Sequence, residues 1–223
     1  EGSILENGFY VSTNGKSNPT EELRAFLESF KNSHLIKCKF PARFLYLKKH
    51  SVIRTIENIN ECQQYLKFRD VLIGQKLYLV FVSGMIDSPS SAFGHSLLRI
   101  HQDSELLDIA INFGAITENS NFISYIFNGL SGGFKAKLGF DRYFQLLKTY
   151  SQIESRDIWS YEVKIDKAQM ELLVALLWEL KDKTFKYYFL SKNCSSEMIS
   201  LLDAVLETDV TNNLPFYVIP SQS

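Results

Sequence analysis

The sequence predicts an α+β fold, an antiparallel sheet packed with helices. Three observations carry this reading. Helically spaced apolar residues dominate the first third of the chain. Short β-rich runs separated by polar turns occupy its middle, and two well-capped amphipathic helices close it.

Residues 1–16 read as irregular, with a turn at Asn14-Gly15. Asn18-Pro19-Thr20-Glu21 opens a helix: Asn18 as cap, Pro19 at the first helical position, Glu21 at the third. Leu23, Phe26, Leu27 and Phe30 then follow at helical spacing. Ile36 to Leu47 reads as extended or as a short helix around Pro41, and Glu57 to Phe68 as a helix. Lys76 to Val82 is a buried strand closed by Ser83-Gly84. After a loop rich in Ser and Pro, Ser96 to Ile100 and Leu106 to Phe113 form two strands around the polar turn His101 to Glu105. Residues 114–140 carry many Gly, Asn and Ser and are expected to form a long functional loop or an extra lobe.

Asp141 to Ser151 reads as helical. Ile158 to Ile165 alternates, with Trp159, Tyr161, Val163 and Ile165 on one face. Asp166-Lys-Ala-Gln169 is a capping box opening a helix to about Lys181. A short strand from Phe185 to Leu190 precedes a helix capped by Asn193 or Ser191 and reaching about Glu207. Residues 1–72 are thus expected to be a helical N-terminal extension packed on a core of residues 73–223.

A chain of 223 residues can bury a sizeable core as one or two domains. The formal net charge of −1 gives no electrostatic reason to expect nucleic acid. No apolar run approaches the ~18 residues that span a bilayer; the longest, Leu172 to Trp178, fits a buried helix face. The start Glu1-Gly2-Ser3 reads as that of a mature or trimmed product. Cys38 and Cys62 could pair in an exported protein or stay reduced in a cytosolic one; count and spacing leave both open. No cysteine or histidine pair has zinc-site spacing, so no metal or other cofactor is expected. No Ser sits in a Gly-x-Ser-x-Gly elbow, and Gly129-Leu-Ser-Gly-Gly133 lacks the Lys of a phosphate loop.

The chemistry concentrates in two segments. Cys194 stands in the opening turn of a helix, whose unsatisfied N–H groups and positive end favour thiolate and can hold an oxyanion. His95 follows Gly94 and opens a strand, where it can serve as base. The two lie 99 residues apart, so only the fold can join them. A third group should orient the imidazole. Placing Leu98 and Ile100 on the core side with Ile109, Ile111 and Phe113 puts His95 on the face of Asp108, Ala110 and Asn112. His95 then lies opposite or diagonal to Asn112, the expected orienter, with Asp108 in reserve. Each of these residues also has a purely structural reading: a small buried thiol, a hydrogen-bonded histidine, polar groups on a solvated strand face.

At these residues the chain resembles a bacterial envelope family, the Lnb N-terminal periplasmic domain type. The resemblance runs in order through Cys38-Lys-Phe-Pro-Ala-Arg43, Ser88 to Ile100 (with Ala92 where Met is more usual), Ile111-Asn112-Phe113, Gly129 to Gly133, Glu154 to Trp159, and Asn193-Cys194-Ser195. That family is similar in turn to circularly permuted papain-like thiol enzymes, in which the strand histidine also precedes the helix cysteine. The resemblance implies a permuted papain-like core over residues 73–223, with Cys194 as nucleophile, His95 as base and Asn112 as orienter. It also implies a periplasmic or secreted location and a Cys38–Cys62 disulfide.

The function expected is that of an exported cysteine hydrolase acting on an amide or ester of a cell-envelope peptide, lipoprotein or acylated small molecule. The alternatives are acyl transfer at the same site, and a non-catalytic module for binding or folding assistance. Peripheral membrane association is compatible with each. Asn193 and Ser195 would face substrate; Arg43 and Arg156 would hold an anionic group bidentately, or else pair with internal carboxylates such as Glu154 or Asp157.

Overall fold

The structure is a computed structural model that describes residues 4–5, 7–33, 35–55, 58–84, 94–116 and 122–213. It is α+β, as its sequence periods require, and is built on a six-stranded antiparallel sheet. The strands are β1 (Lys76–Val82), β2 (His95–His101), β3 (Ile109–Ile116), β4 (Phe134–Arg142), β5 (Ile158–Val163) and β6 (Phe185–Tyr187), in the spatial order β5-β1-β2-β3-β4-β6. Helices α1 (Pro19–Asn32), α2 (Ile36–Lys39), α3 (Pro41–Lys49) and α4 (Gln63–Leu72) precede the sheet. Helices α5 (Phe122–Ser131) and α6 (Tyr143–Leu147) flank β4, and α7 (Lys167–Leu180) and α8 (Cys194–Leu206) close the fold.

Alternation along the strands sorts the sheet into two buried faces. Leu77, Leu98, Ile100, Ile111 and Phe113 meet Leu173 and Leu177 of α7 and Met198, Leu201 and Val205 of α8. Val80, Val82, Leu97 and Ala110 line the opposite face, beneath Tyr143, Leu146, Tyr150 and Ile158. Helix α7 has no single apolar stripe because it is covered on two sides. Leu173, Val174 and Leu177 face the sheet, while Leu172 and Ala175 pack with Ala42, Cys62 and Tyr65 of the leading helices. Those helices have a core of their own, Phe26, Phe30, Phe40, Phe44, Leu47 and Ile53, in which each fully buried side chain contributes about 1.5–3 kcal/mol. A Cys38–Cys62 disulfide ties α2 to the residue before α4.

Several elements differ from the sequence expectation. Ile36 to Leu47 forms two short helices, because Pro41 cannot continue α2 but suits the first turn of α3. The helix expected from Glu57 begins only at Gln63, after residues 59–61 turn and Cys62 N–H donates to Ile59 O; it runs on to Leu72. Glu57 itself, like His34 and the segment Ser88 to Phe93, lies outside the described residues.

The expected loop of residues 114–140 contains α5 and the fourth strand, and that strand runs to Arg142, where a helix was expected from Asp141. Phe134, Ala136 and Leu138 are buried there between exposed Lys135 and Lys137, a short alternation that the surrounding glycines obscure. Tyr143–Leu147 is helical and Lys148–Ile153 widens into a π-helical turn. Leu106 and Leu107 are exposed in a 3₁₀ turn, so β3 starts at Ile109. Likewise β6 stops at Tyr187, and Phe189 stacks on Phe134 from the turn beyond.

Candidate active site

Two local structures position the predicted chemistry, His95 at the start of β2 and Cys194 at the start of α8, with His95 on the sheet face away from the one on which α8 packs. Gly94 adopts φ +82°, and a Cβ there would lie 2.8 Å from Val82 O, so β2 is preceded by a backbone conformation that glycine alone accepts easily. His95 is thereby delivered opposite Val82, on the face lined by Val82 and Leu97. At the other segment, Asn193 caps α8. Its Oδ1 accepts from Ser195 N at 3.0 Å and Ser196 N at 3.2 Å, while Ser196 Oγ accepts from Asn193 N at 2.9 Å. This box makes Cys194 the first residue of the helix.

Helix α8 lies against β2, and the sulfur of Cys194 accepts a hydrogen bond from the backbone N–H of Ser96, the residue after His95. The Ser96 and Ser195 hydroxyls share a bond of 2.9 Å across the same junction. The β2–β3 ladder starts only at Leu97, which leaves Ser96 N–H to the thiol instead of to a strand partner on that side. Ser96 was not singled out in the sequence; its signal was alternation, since it shares the helix-facing parity of Leu98 and Ile100.

Electrostatics hold this site uncharged at rest. Burial pushes the Cys194 thiol up from its ordinary value; hydrogen bonds from Ser96, from Ser195 and from its own N–H oppose the rise without cancelling it. The expected depressed thiol pKa is therefore not found, because at 2% exposure the thiolate loses more hydration than the helix N-terminus returns. His95 is half-buried. Burial, and secondarily the Arg156 guanidinium, hold the imidazole down at about 4.

Tyr150 completes the cluster. Its ring lies 6.4 Å from that of His95, the Arg156 guanidinium stacks over it at 4.9 Å, and its hydroxyl feels the charge of Cys194. No sequence signal marked Tyr150, which comes from the π-helical turn.

The family model described as the Lnb N-terminal periplasmic domain matches residues 64–220. The chain belongs to that family. A second model, described as a domain of unknown function, matches residues 1–50. Searches of the curated proteins and of the solved structures found no significant match. A periplasmic family and a disulfide together suggest a location in the bacterial envelope.

Within this Lnb-type domain the other expected site residues separate. Asn112 shares the His95 face and pairs with Leu97, which makes it diagonal to His95, but its Nδ2 donates to Asp141 Oδ2 at 2.7 Å. Gly139 leaves room for that amide: a Cβ there would stand 2.8 Å from Asn112 Oδ1. Asp108 is fully buried with Arg99 and His101, accepting from Gln102 N at 2.9 Å. Asn193 spends its amide on the cap and on Phe189 O, to which Nδ2 donates at 2.8 Å.

Arg156 is beside His95, with Nε on Ser83 O at 2.6 Å and Nη1 on Glu154 Oε2 at 3.0 Å. Arg43 is elsewhere, in a cleft of about 1020 Å³ between α1, α3 and the far end of α8 near Asp203 and Glu207, where it pairs with Glu22 and Glu179. Asp203 stands nine residues along α8 from Cys194, about 14 Å at helical rise. Among the described residues no three His, Cys, Asp or Glu side chains cluster as metal ligands.

Proposed function

We propose that this domain is a thiol-dependent acyl-transfer enzyme of the bacterial periplasm, hydrolysing an amide or ester of an envelope peptide or acylated molecule. The observation that supports it is the 2.9 Å bond between the Ser96 and Ser195 hydroxyls, which joins the residue after the strand histidine to the residue after the helix cysteine. The order of strand histidine before helix cysteine, with α8 packed on an antiparallel sheet, also supports a permuted papain-like relationship.

The reaction starts from an uncharged pair. The sulfur attacks the carbonyl carbon as the S–H proton passes round the start of β2 to the His95 imidazole, and the carbonyl π electrons move onto oxygen. Asn193 already occupies the Ser195 and Ser196 N–H groups, so the Cys194 N–H, which rests on its own sulfur, turns to this oxyanion as the sulfur bonds to carbon. Collapse expels the amine or alcohol, which takes the proton from the imidazolium. Water, activated by the neutral imidazole, then releases the acid and restores the thiol. An amine or alcohol in place of that water makes the same site a transferase.

The buried thiol with its raised pKa favours a second reading, a non-catalytic module that assists folding or binds an envelope partner. Acylation by p-nitrophenyl acetate, followed by intact mass and site mapping with the disulfide kept, separates the two. The enzyme reading expects acylation of Cys194 near neutral pH, slowed ~100-fold or more in His95→Gln. Acylation that rises only above the ordinary thiol range, identically in both proteins, establishes the module instead.

A further inference from the structure

Arg156 holds an unmet hydrogen-bonding need beside the proposed site. Its side chain is 3% exposed, and its contacts fix the guanidinium: Nε on Ser83 O, Nη1 on Glu154, one face on the Tyr150 ring. Nη2 is buried and has no partner. A buried donor left unpaired costs about 1–3 kcal/mol and calls for a reason. The held guanidinium cannot swing out to water without breaking the other contacts. It is near enough for its charge to act on His95, and it stacks on the same ring that feels Cys194.

We propose that Nη2 of Arg156 receives a carboxylate of the substrate, so that the bond cleaved at Cys194 lies beside a free carboxylate, as in an N-acyl amino acid or the C-terminal end of a peptide. The geometry selects a monoanion. The side-on bidentate clamp through Nε is not available, because the single Nε–H is on Ser83 O, and Nη1 already holds Glu154. The two N–H groups of Nη2, on a guanidinium already partly compensated by Glu154, suit a carboxylate better than a phosphate dianion. The bound carboxylate also screens the Arg156 charge that opposes imidazolium, so substrate binding strengthens His95 as a base. The placement of the scissile bond rests on the thiol reading; the carboxylate site does not.

The test follows the His95 ring by NMR in a Cys194→Ala background, titrating N-acetylglycine and, separately, its neutral amide. The expected result is a saturable His95 shift with N-acetylglycine, none with the amide, and at least tenfold weaker binding in Arg156→Gln. Glu154→Gln, which removes the competing carboxylate and leaves Nη2 in place, should bind severalfold more tightly. No saturable shift, equal response to the neutral amide, unchanged affinity in Arg156→Gln, or unchanged affinity in Glu154→Gln each overturns the proposal. Carboxylate binding combined with an inert Cys194 refutes the enzyme and leaves the anion site standing.

Discussion

Glu179→Gln should change how stability depends on pH. Glu179, on α7, sits beneath the start of α3: Oε1 accepts from Ala42 N at 2.8 Å and Arg43 N at 3.1 Å, and Oε2 pairs with Arg43 Nε at 3.3 Å. Burial outweighs these partners and holds the carboxyl up at about 7, against an ordinary 4.5. A pKa raised on folding means that the folded state keeps the proton longer. Its stabilising contribution is complete below about 4.5 and lost as pH rises to about 7. A difference of about 2.5 pH units corresponds to a loss of about 3 kcal/mol.

His95 acts oppositely in nearly the same window. Its pKa falls on folding from 6.5 to about 4, so its contribution is complete above about 6.5 and lost as pH falls toward 4. This is worth at most about 3 kcal/mol, since the residue is only half-buried and solvent screens part of the effect. The two slopes oppose each other, and the wild type should vary little across the window. Glu179→Gln keeps a carbonyl oxygen for the two N–H groups, removes the titration and gives up the Oε2 contact with Arg43 Nε. Its stability should rise by up to about 3 kcal/mol from pH 4 to 6.5, while that of His95→Gln should fall from pH 4.5 to 7. Urea unfolding followed by circular dichroism at half-unit pH steps, with the disulfide intact, measures both. Parallel curves for wild type and Glu179→Gln would refute the argument.

Two further outcomes follow from the architecture. Gly94→Ala forces a side chain into positive φ and against Val82 O, so it should cost about 1–3 kcal/mol and disturb the His95 NMR signals; an unchanged spectrum sinks the assigned role of this glycine. Replacing Cys38 and Cys62 together by Ser opens a 24-residue link and should lower unfolding free energy by about 3 kcal/mol, read from the urea midpoint; a loss below 1 kcal/mol contradicts it.

Local rules carried the sequence reading wherever a residue's state depends on its immediate neighbours. The Asn18 cap, the Asp166–Gln169 capping box and the Asn193 cap all appear at their expected positions, because capping uses donors within three residues. The Lys76–Val82 strand followed from its apolar run, and the shared face of His95 and Asn112 from alternation. Strand β4 was missed because its buried residues are interleaved with lysines among turn-forming glycines; its partners Ile109–Ile116 and Phe185–Tyr187, distant in sequence, make it a strand.

The site divided along the same line. That Cys194 begins a helix and His95 begins a strand was determined by residues beside them. Which groups surround them was decided by packing across the sheet, which supplied Ser96 N–H to the sulfur, put Tyr150 and Arg156 at the imidazole and turned Asn112 to Asp141. The charge state was decided there too. A helix N-terminus is a local property that favours thiolate, but burial sums over every element packed around the sulfur, and here burial is the larger effect.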